Sequence, residues 1–83
     1  MTDRRLQVFC TAADCLSFSK AAELLGMTQP AVTKHIAVIE EELGTALFLR
    51  LGRTLILTEK GHELLTIARE ILEKYQTIDR LKR

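Results

Sequence analysis

Apolar residues recur at helical spacing at the start of the chain. Four of them fall at positions i, i+3, i+4 and i+7 of one helix face: Leu6, Phe9, Cys10 and Ala13. This spacing predicts a first helix over about residues 3–15. A break follows at 16–19, where Ser17 or Ser19 can cap the next helix. The predicted second helix is short, Lys20–Leu25, and Gly26 ends it.

A third helix is predicted over about residues 29–43. Thr28 suits the N-cap position, and Pro30 falls in the first turn, where its missing N–H costs nothing. Gly44 suits the C-terminal end. The apolar stripe of this helix should face the core and consists of Val32, Ile36, Ile39 and Leu43.

Two short apolar runs around Gly52 then predict a β-hairpin over about residues 46–57. Thr58 can cap a last helix that runs from 59 to about 82. Two helices joined by a short turn with Gly26, followed by a hairpin, are typical of a winged helix-turn-helix. The predicted fold class is therefore mainly α, with a three-helix core, a β-hairpin wing and a long C-terminal linker helix.

Length and composition agree with one small domain. The chain has 83 residues and a formal net charge of +1. Residues 1–58 hold six basic and six acidic side chains, but half of the acids form the run Glu40–Glu42, so a basic face remains possible. Cys10 and Cys15 fall on different helix faces and are expected to be small apolar fillers. No signal peptide or membrane span is visible, so a cytoplasmic location is expected.

The outward face of the third helix carries side chains that suit a DNA major groove. Its N-terminal members are Gln29, Pro30, Thr33 and Lys34. Gln can pair with adenine, Lys can reach guanine, and the Thr methyl can pack on thymine. Recognition helices use their N-terminal residues on base edges. The simpler alternative is an ordinary solvated helix face.

Further candidates lie in the hairpin and before the second helix. Arg50 and Arg53 flank Gly52 at the hairpin tip, and a minor groove attracts inserted Arg. They could equally be solubilising charges on an exposed turn. Ser17, Ser19 and Lys20 could bind phosphates, although the two serines could also act only as caps.

No residues suggest catalysis or a bound cofactor. Glu40–Glu42 point in different directions on a helix, without His, Cys or Asp at ligand spacing. His35 and His62 have no paired carboxylate or nucleophile, and no glycine-rich phosphate loop is present. We therefore expect neither an enzyme nor a metal site. The run of acids should keep its end of the domain away from DNA.

The last helix carries a heptad seam that predicts a homodimer. The seam consists of Leu64, Ala68, Ile71, Tyr75 and Ile78, flanked by Leu65, Leu72 and Leu81. Its first turns should pack on the first helix, and a partner helix should cover the seam beyond Ala68. Leu64, Ala68, Ile71, Leu72, Tyr75 and Ile78 are the predicted dimerisation residues.

With these elements in order, the chain resembles the N-terminal domain of LysR-type transcriptional regulators over essentially its whole length. The resemblance lies in Phe9, Ser17–Leu25 (SFSKAAELL), Thr28–Thr33 (TQPAVT), Ile39–Gly44 (IEEELG), Leu47-Phe48, Arg50, Gly52-Arg53 and Leu57–Gly61 (LTEKG). It implies a linker helix that pairs antiparallel between subunits, and binding to an interrupted inverted repeat. It also implies a longer C-terminal effector-binding domain, absent from this chain, through which any small-molecule effector would act.

The resemblance also assigns roles to single residues. It implies base contacts from Gln29, Pro30, Thr33, Lys34 and Arg53, and contacts to the DNA backbone from Ser19 and Thr28. We expect further backbone contacts from Ser17, Lys20, His35 and Arg50. We divide the chain into a DNA-binding domain at 1–58 and a dimerisation helix at 59–83.

Some positions depart from the family pattern. Lys34 and His35 stand where Arg and Gln are common, which should change the base preference. Ala37, Val38, Leu49 and Leu51 are small or apolar where the family is commonly basic or polar. The near-neutral charge and the apolar Val38, Leu49 and Leu51 support an alternative function, a winged helix that binds a protein and not DNA.

Overall fold

A computed structural model describes residues 1–82, and in that part of the chain it has four helices and one two-stranded antiparallel sheet. The helices are α1 (Asp3–Cys15), α2 (Phe18–Leu25), α3 (Gln29–Leu43) and α4 (Glu59–Asp79). The strands are β1 (Phe48–Leu51) and β2 (Thr54–Leu57), paired so that Phe48 faces Leu57 and Leu51 faces Thr54. This order confirms the predicted winged helix-turn-helix, with the hairpin as its wing.

Side-chain caps determine where the helices begin. The hydroxyl oxygens of Thr2, Ser17, Thr28 and Thr58 each accept a hydrogen bond from the backbone N–H three residues later. Such a bond satisfies one of the N–H groups that a helix start leaves unpaired. Ser17 is thus the cap of α2, and α2 begins at Phe18, before the start predicted at Lys20.

The last helix ends earlier than predicted. α4 stops at Asp79 and not at about 82, because the next N–H groups bond to carbonyls three residues back. The Leu81 N–H donates to the Ile78 carbonyl at 3.0 Å, and the Lys82 N–H donates to Asp79 at 3.1 Å. Bonds of this spacing close a tight turn.

The core lies where α1 packs on α2, α3 and α4. Its largest fully buried side chains are Val8, Phe9, Val32, Ile39 and Leu47. The ring of Phe48 in the wing meets Phe9 and Phe18 edge-on, at centroid distances of 5.7 and 5.2 Å. The wing is therefore anchored to the helices through an aromatic cluster.

Leu43 is an exception to the predicted core. It is 48% exposed, whereas Val32, Ile36 and Ile39 in the same stripe are buried. Leu43 belongs to the last turn of α3, next to the Gly44 cap, beyond the part of the helix that is covered. Its assignment to the core was therefore wrong.

Both cysteines are free, and Cys10 is buried while Cys15 is half-buried. Burial, together with the nearby Asp14 carboxylate, raises the pKa of the Cys10 thiol. Cys10 therefore remains a neutral thiol, in agreement with its predicted role as a small filler of the core.

The peptide of Leu47 joins three elements. Its N–H donates to the Glu40 carboxylate of α3 at 2.7 Å, and its carbonyl accepts from the Thr58 N–H at 2.9 Å. The Thr58 hydroxyl also donates to the Ala46 carbonyl at 2.7 Å. These bonds fix the end of α3, the start of the wing and the start of α4 against one another.

Gly61 is required by the same junction. A Cβ at this position would lie 2.5 Å from the Leu47 carbonyl oxygen and 2.5 Å from Cδ1 of Leu57. Glycine ordinarily weakens a helix, but here its missing side chain lets α4 approach the Leu47 backbone. The apolar spacing of α4 gives no sign of this requirement, because it depends on a contact with a distant segment.

The Glu40 carboxylate should contribute measurably to stability. We expect Glu40→Ala to lower the free energy of unfolding by about 1.5–3 kcal/mol, because a charge-assisted bond to the buried Leu47 N–H is lost. Urea denaturation followed by circular dichroism measures this. Glu41→Ala is the matched control, since Glu41 is an exposed neighbour. Equal losses in the two variants would contradict the assigned role.

Candidate nucleic-acid interface

The first turns of α3 present an exposed face of three polar side chains and one proline. Gln29, Pro30, Thr33 and Lys34 are all exposed, as predicted. Together with Ala37 they line one shallow groove on the surface. The buried side of the helix holds Val32 and Ile36, so packing on the core fixes which side chains face outward.

A second cavity, of about 410 Å³, lies between the start of α2 and the wing. It brings Gln29 close to Arg53, although these residues were predicted to read different grooves of DNA. Its lining consists of Leu16, Ser17, Phe18, Ser19, Gln29, Arg50, Arg53 and Leu55. The start of α2, the start of α3 and the wing tip therefore form one surface.

Three hydroxyl groups on this surface already have partners. The oxygens of Ser17 and Thr28 accept from the N–H groups of Lys20 and Ala31, at 3.1 and 3.3 Å. As acceptors they keep their own protons, which remain available for a phosphate oxygen. The hydroxyl of Ser19 instead donates to Oε1 of Gln29 at 2.9 Å.

The cationic side chains of this surface are largely unneutralised. Lys34, Arg50 and Arg53 are exposed, and within residues 1–82 none has a carboxylate oxygen within 4.0 Å. Lys20 has only a long contact with the exposed Glu23, at 4.0 Å. An anionic partner would therefore meet free positive charge here.

Two of the three acids in Glu40–Glu42 make hydrogen bonds within the domain. Glu40 holds the Leu47 N–H, and Glu42 accepts from the N-terminal amine at 3.2 Å. Sequence reasoning missed the role of Glu40, because its partner is a backbone group that carries no sequence signal. Among the described residues, no group of three His, Cys, Asp or Glu side chains could hold a metal ion.

α4 has a buried side and an exposed side that differ from the predicted seam. Gly61, Leu65 and Ala68 are buried, and Leu64 and Leu72 pack against the core. Ala68 is fully buried within its own chain, so its assignment to a dimer interface was wrong. The predicted boundary at 58/59 also falls inside a shared core.

The exposed side of α4 forms an apolar strip. It consists of Ile67, Ile71, Tyr75 and Ile78, which are between 38% and 56% exposed. Sequence reasoning missed Ile67, because a strict heptad begins at Leu64 and continues through Ala68. The Asp3 carboxylate of α1 lies beside the Tyr75 hydroxyl and raises its pKa.

A sequence profile described as "Bacterial regulatory helix-turn-helix protein, lysR family" matches residues 4–62. This chain belongs to the LysR family. The family comprises DNA-binding transcriptional regulators and not enzymes. In the part of the chain that the structure describes, no helix is long and apolar enough to cross a bilayer.

Individual relatives agree with this assignment. The LysR-family chain is 46% identical over 77 residues to the HTH-type transcriptional regulator CbbR of Rhodospirillum rubrum, covering 93% of this chain and 26% of that protein. It is 46% identical over 71 residues to the regulator YxjO of Bacillus subtilis, covering 86% and 24%. The chain therefore spans about a quarter of the length of these relatives.

Two solved structures of similar fold contain DNA. A BenM_DBD/benA site 1 DNA complex has a TM-score of 0.91 at 32% identity, covering 98% of this chain and 91% of that chain. A CbnR_DBD–DNA complex has a TM-score of 0.87 at 36% identity, covering 96% and 93%. These values confirm the LysR-type winged-helix fold over nearly the whole chain.

His35, a predicted contact to the DNA backbone, is less exposed than its neighbour Lys34 in this LysR-family chain. It is half-buried, and its Nδ1 is enclosed without a hydrogen-bond partner. Burial, followed by the charges of Arg5, Arg4 and Lys34, lowers the pKa of His35. The folded protein therefore favours the neutral imidazole.

Arg4 and Arg5 are charged residues whose closeness to α3 was not predicted from the sequence. Both belong to the first turn of α1, yet their charges act on His35 in α3. They extend the positive charge beside Lys34, and only the packing of α1 on α3 brings them there. The adjacent arginines at the start of α1 are the sequence feature that could have indicated this positive charge, but no role was predicted for them.

The lowered pKa of His35 predicts how stability changes with pH. The unfolded chain, with a His pKa near about 6.5, takes up the proton more readily than the folded protein. The contribution of His35 to the free energy of unfolding is therefore complete above about pH 6.5 and is lost as the pH falls below that value. When the pH is lowered from about 7 to about 5, the free energy of unfolding of His35→Gln should fall less than that of the wild type.

Urea denaturation at a series of pH values measures this difference. His62→Gln is the matched control, because His62 is an exposed histidine on α4. It should keep the pH dependence of the wild type. A His35→Gln variant that follows the wild-type curve would disprove the assigned effect.

Proposed function

We propose that this chain binds double-stranded DNA at specific sequences, with the start of α3 in a major groove and the wing tip in the adjacent minor groove. The observation that carries this proposal is that Gln29 lines both the groove that holds Lys34 and the cavity that holds Arg53. Both cations are exposed, and within residues 1–82 neither is paired with an acid. Family membership and the two similar DNA complexes support it.

Each side chain at the start of α3 has a chemical role in the proposal. The Gln29 amide and the Lys34 ammonium donate hydrogen bonds to base edges, and the Thr33 methyl packs on a thymine methyl. Pro30 adds an apolar contact in the first turn. Arg53, at the wing tip, enters the minor groove, where the negative potential attracts a guanidinium.

Other groups around this surface hold the DNA backbone in the proposal. Ser17 and Arg50 line the cavity between α2 and the wing, and Thr28 caps the start of α3. The two hydroxyl protons and the Arg50 guanidinium are available for phosphate oxygens. Lys20 adds a charge at the start of α2. Such contacts fix the register of the protein on DNA but do not read sequence.

We further propose that two copies pair through the apolar strip of α4. The helix has 21 residues, about 31 Å at 1.5 Å per residue, and its far half extends beyond the core. A strip of Ile67, Ile71, Tyr75 and Ile78 is the kind of surface that a second helix covers. Two-fold pairing would present two copies of α3 to an inverted repeat.

The longer relatives set the context of the proposed regulator. A small-molecule effector, which the resemblance implies, would act through a region outside these 83 residues, since the chain spans 26% of CbbR. A bacterial regulator acts where the chromosome lies, so the cytoplasmic location predicted from the sequence belongs to the same proposal.

The alternative, binding of a protein instead of DNA, has one observation in its favour. Leu49 and Leu51 are exposed on β1, whereas Val38 is only half-buried. Protein binding through such a patch would be nearly insensitive to salt. Binding of DNA should weaken steeply with salt, because phosphate contacts release counterions.

The first prediction concerns Lys34. We expect Lys34→Ala to weaken binding to a selected duplex by about 1–3 kcal/mol and to relax the preference at one base pair. Selection from a random DNA pool followed by fluorescence anisotropy measures both. Lys60→Ala, on the exposed start of α4, is the control and should bind like the wild type. Failure of the wild type to retain any duplex at low salt would refute DNA binding.

The second prediction concerns the α4 strip. We expect Ile71→Glu to shift the protein from dimer to monomer, because a charge would be buried between the two helices. Analytical ultracentrifugation measures the mass. Thr66→Glu adds the same charge on a different exposed side of α4 and should remain a dimer. A wild type that is monomeric at high protein concentration would contradict the proposed pairing.

A further inference from the structure

The Ser19 hydroxyl makes a hydrogen bond that links α2 to α3. Its Oγ donates to Oε1 of Gln29 at 2.9 Å, although the two residues are ten positions apart in the chain. Ser19 is not needed as a helix cap, because Ser17 already accepts from the Lys20 N–H. The bond thus joins a residue of the short helix to the first residue of the recognition helix.

We propose that Ser19 is a positioning residue, which fixes the edge of the Gln29 amide that faces the DNA and makes Gln29 a donor to the base. This inference rests on the proposed DNA-binding function. It adds to that function the base preference at one position of the DNA site.

The amide group of Gln29 has two different ends. A free glutamine can present Oε1 as an acceptor, Nε2 as a donor, or both together to adenine. The bond from the Ser19 hydroxyl turns Oε1 toward α2 and occupies one of its two lone pairs, whereas the two N–H groups of Nε2 have no partner within residues 1–82. Gln29 then matches acceptors in the major groove, which are O6 and N7 of guanine, O4 of thymine and, beside a donor, N7 of adenine. Cytosine presents its N4 amino group there and is disfavoured.

The same bond removes Ser19 from the expected phosphate contacts. A hydroxyl has one proton, and a phosphate oxygen can only accept a hydrogen bond. Because the proton of Ser19 is directed at Gln29, its side chain has nothing to donate to the DNA backbone. Arg50 and Arg53, which line the same cavity, remain available to neutralise a phosphate there.

Four proteins test the inference: the wild type, Ser19→Ala, Gln29→Ala and the double variant. The base pair that Gln29 reads is the one whose preference disappears in Gln29→Ala. Affinity is then measured for duplexes carrying each of the four bases at that position. A Ser19→Thr variant, which keeps the hydroxyl, serves as the conservative control, and thermal unfolding checks that all variants fold.

We expect the wild type to prefer guanine or thymine over cytosine at that position. Ser19→Ala should reduce this discrimination about three- to tenfold, the net effect of one hydrogen bond, while Ser19→Thr retains it. In the Gln29→Ala background, Ser19→Ala should have no further effect. Nuclear relaxation of the Gln29 side-chain amide in the free protein should report a rigid group in the wild type and a mobile one in Ser19→Ala.

Three results would overturn the inference, and they are distinguishable. An equal loss of affinity on all four bases, persisting in the Gln29→Ala background, would make Ser19 a phosphate contact. Unchanged discrimination and an equally rigid amide in Ser19→Ala would make the bond irrelevant to reading. A wild type that selects no sequence at all would remove the proposed function together with the inference.

Discussion

The hydrogen bonds of the Leu47 peptide are the constraint on which the arrangement of the domain depends. Leu47 is fully buried, so leaving its N–H or carbonyl unpaired would be costly. The N–H finds its partner in Glu40 near the end of α3, and the carbonyl finds it in Thr58 at the start of α4. The wing therefore leaves the core at a defined point, and Arg53 is held near the start of α3.

Where the signals are local, the sequence predicted the structure well. The bounds of α1 and α3 follow from caps and apolar spacing within one turn, as at Thr28 and Gly44. The outward position of Lys34 follows from the same periodicity. Periodicity, however, predicts on which side of a helix a residue lies but not how far it is buried. Leu43 lies on the same side of α3 as Ile39, yet it is exposed.

Contacts between distant residues were beyond the reach of the sequence. A heptad drawn through α4 included Ala68, but the packing of α1 determines which side of α4 is covered, and Ala68 lies on the covered side. The bonds of Glu40 to Leu47 and of Ser19 to Gln29 join residues seven and ten positions apart. Both depend on turns whose geometry no spacing rule provides, so the fold and the outward face were predictable while the bonds that orient them were not.

The division of α4 into a buried and a free half has a mechanical consequence. Leu65, Ala68 and Leu72 are held by the body of the domain, and the helix continues without interruption through Tyr75 to Asp79. A continuous helix has no hinge, since sharp bends need a proline, a bulge or an inserted group. A displacement of the C-terminal end of α4 therefore rotates the whole domain, including α3, as one rigid unit. In the proposed dimer, the angle between the two copies of α4 therefore sets the distance between the two copies of α3.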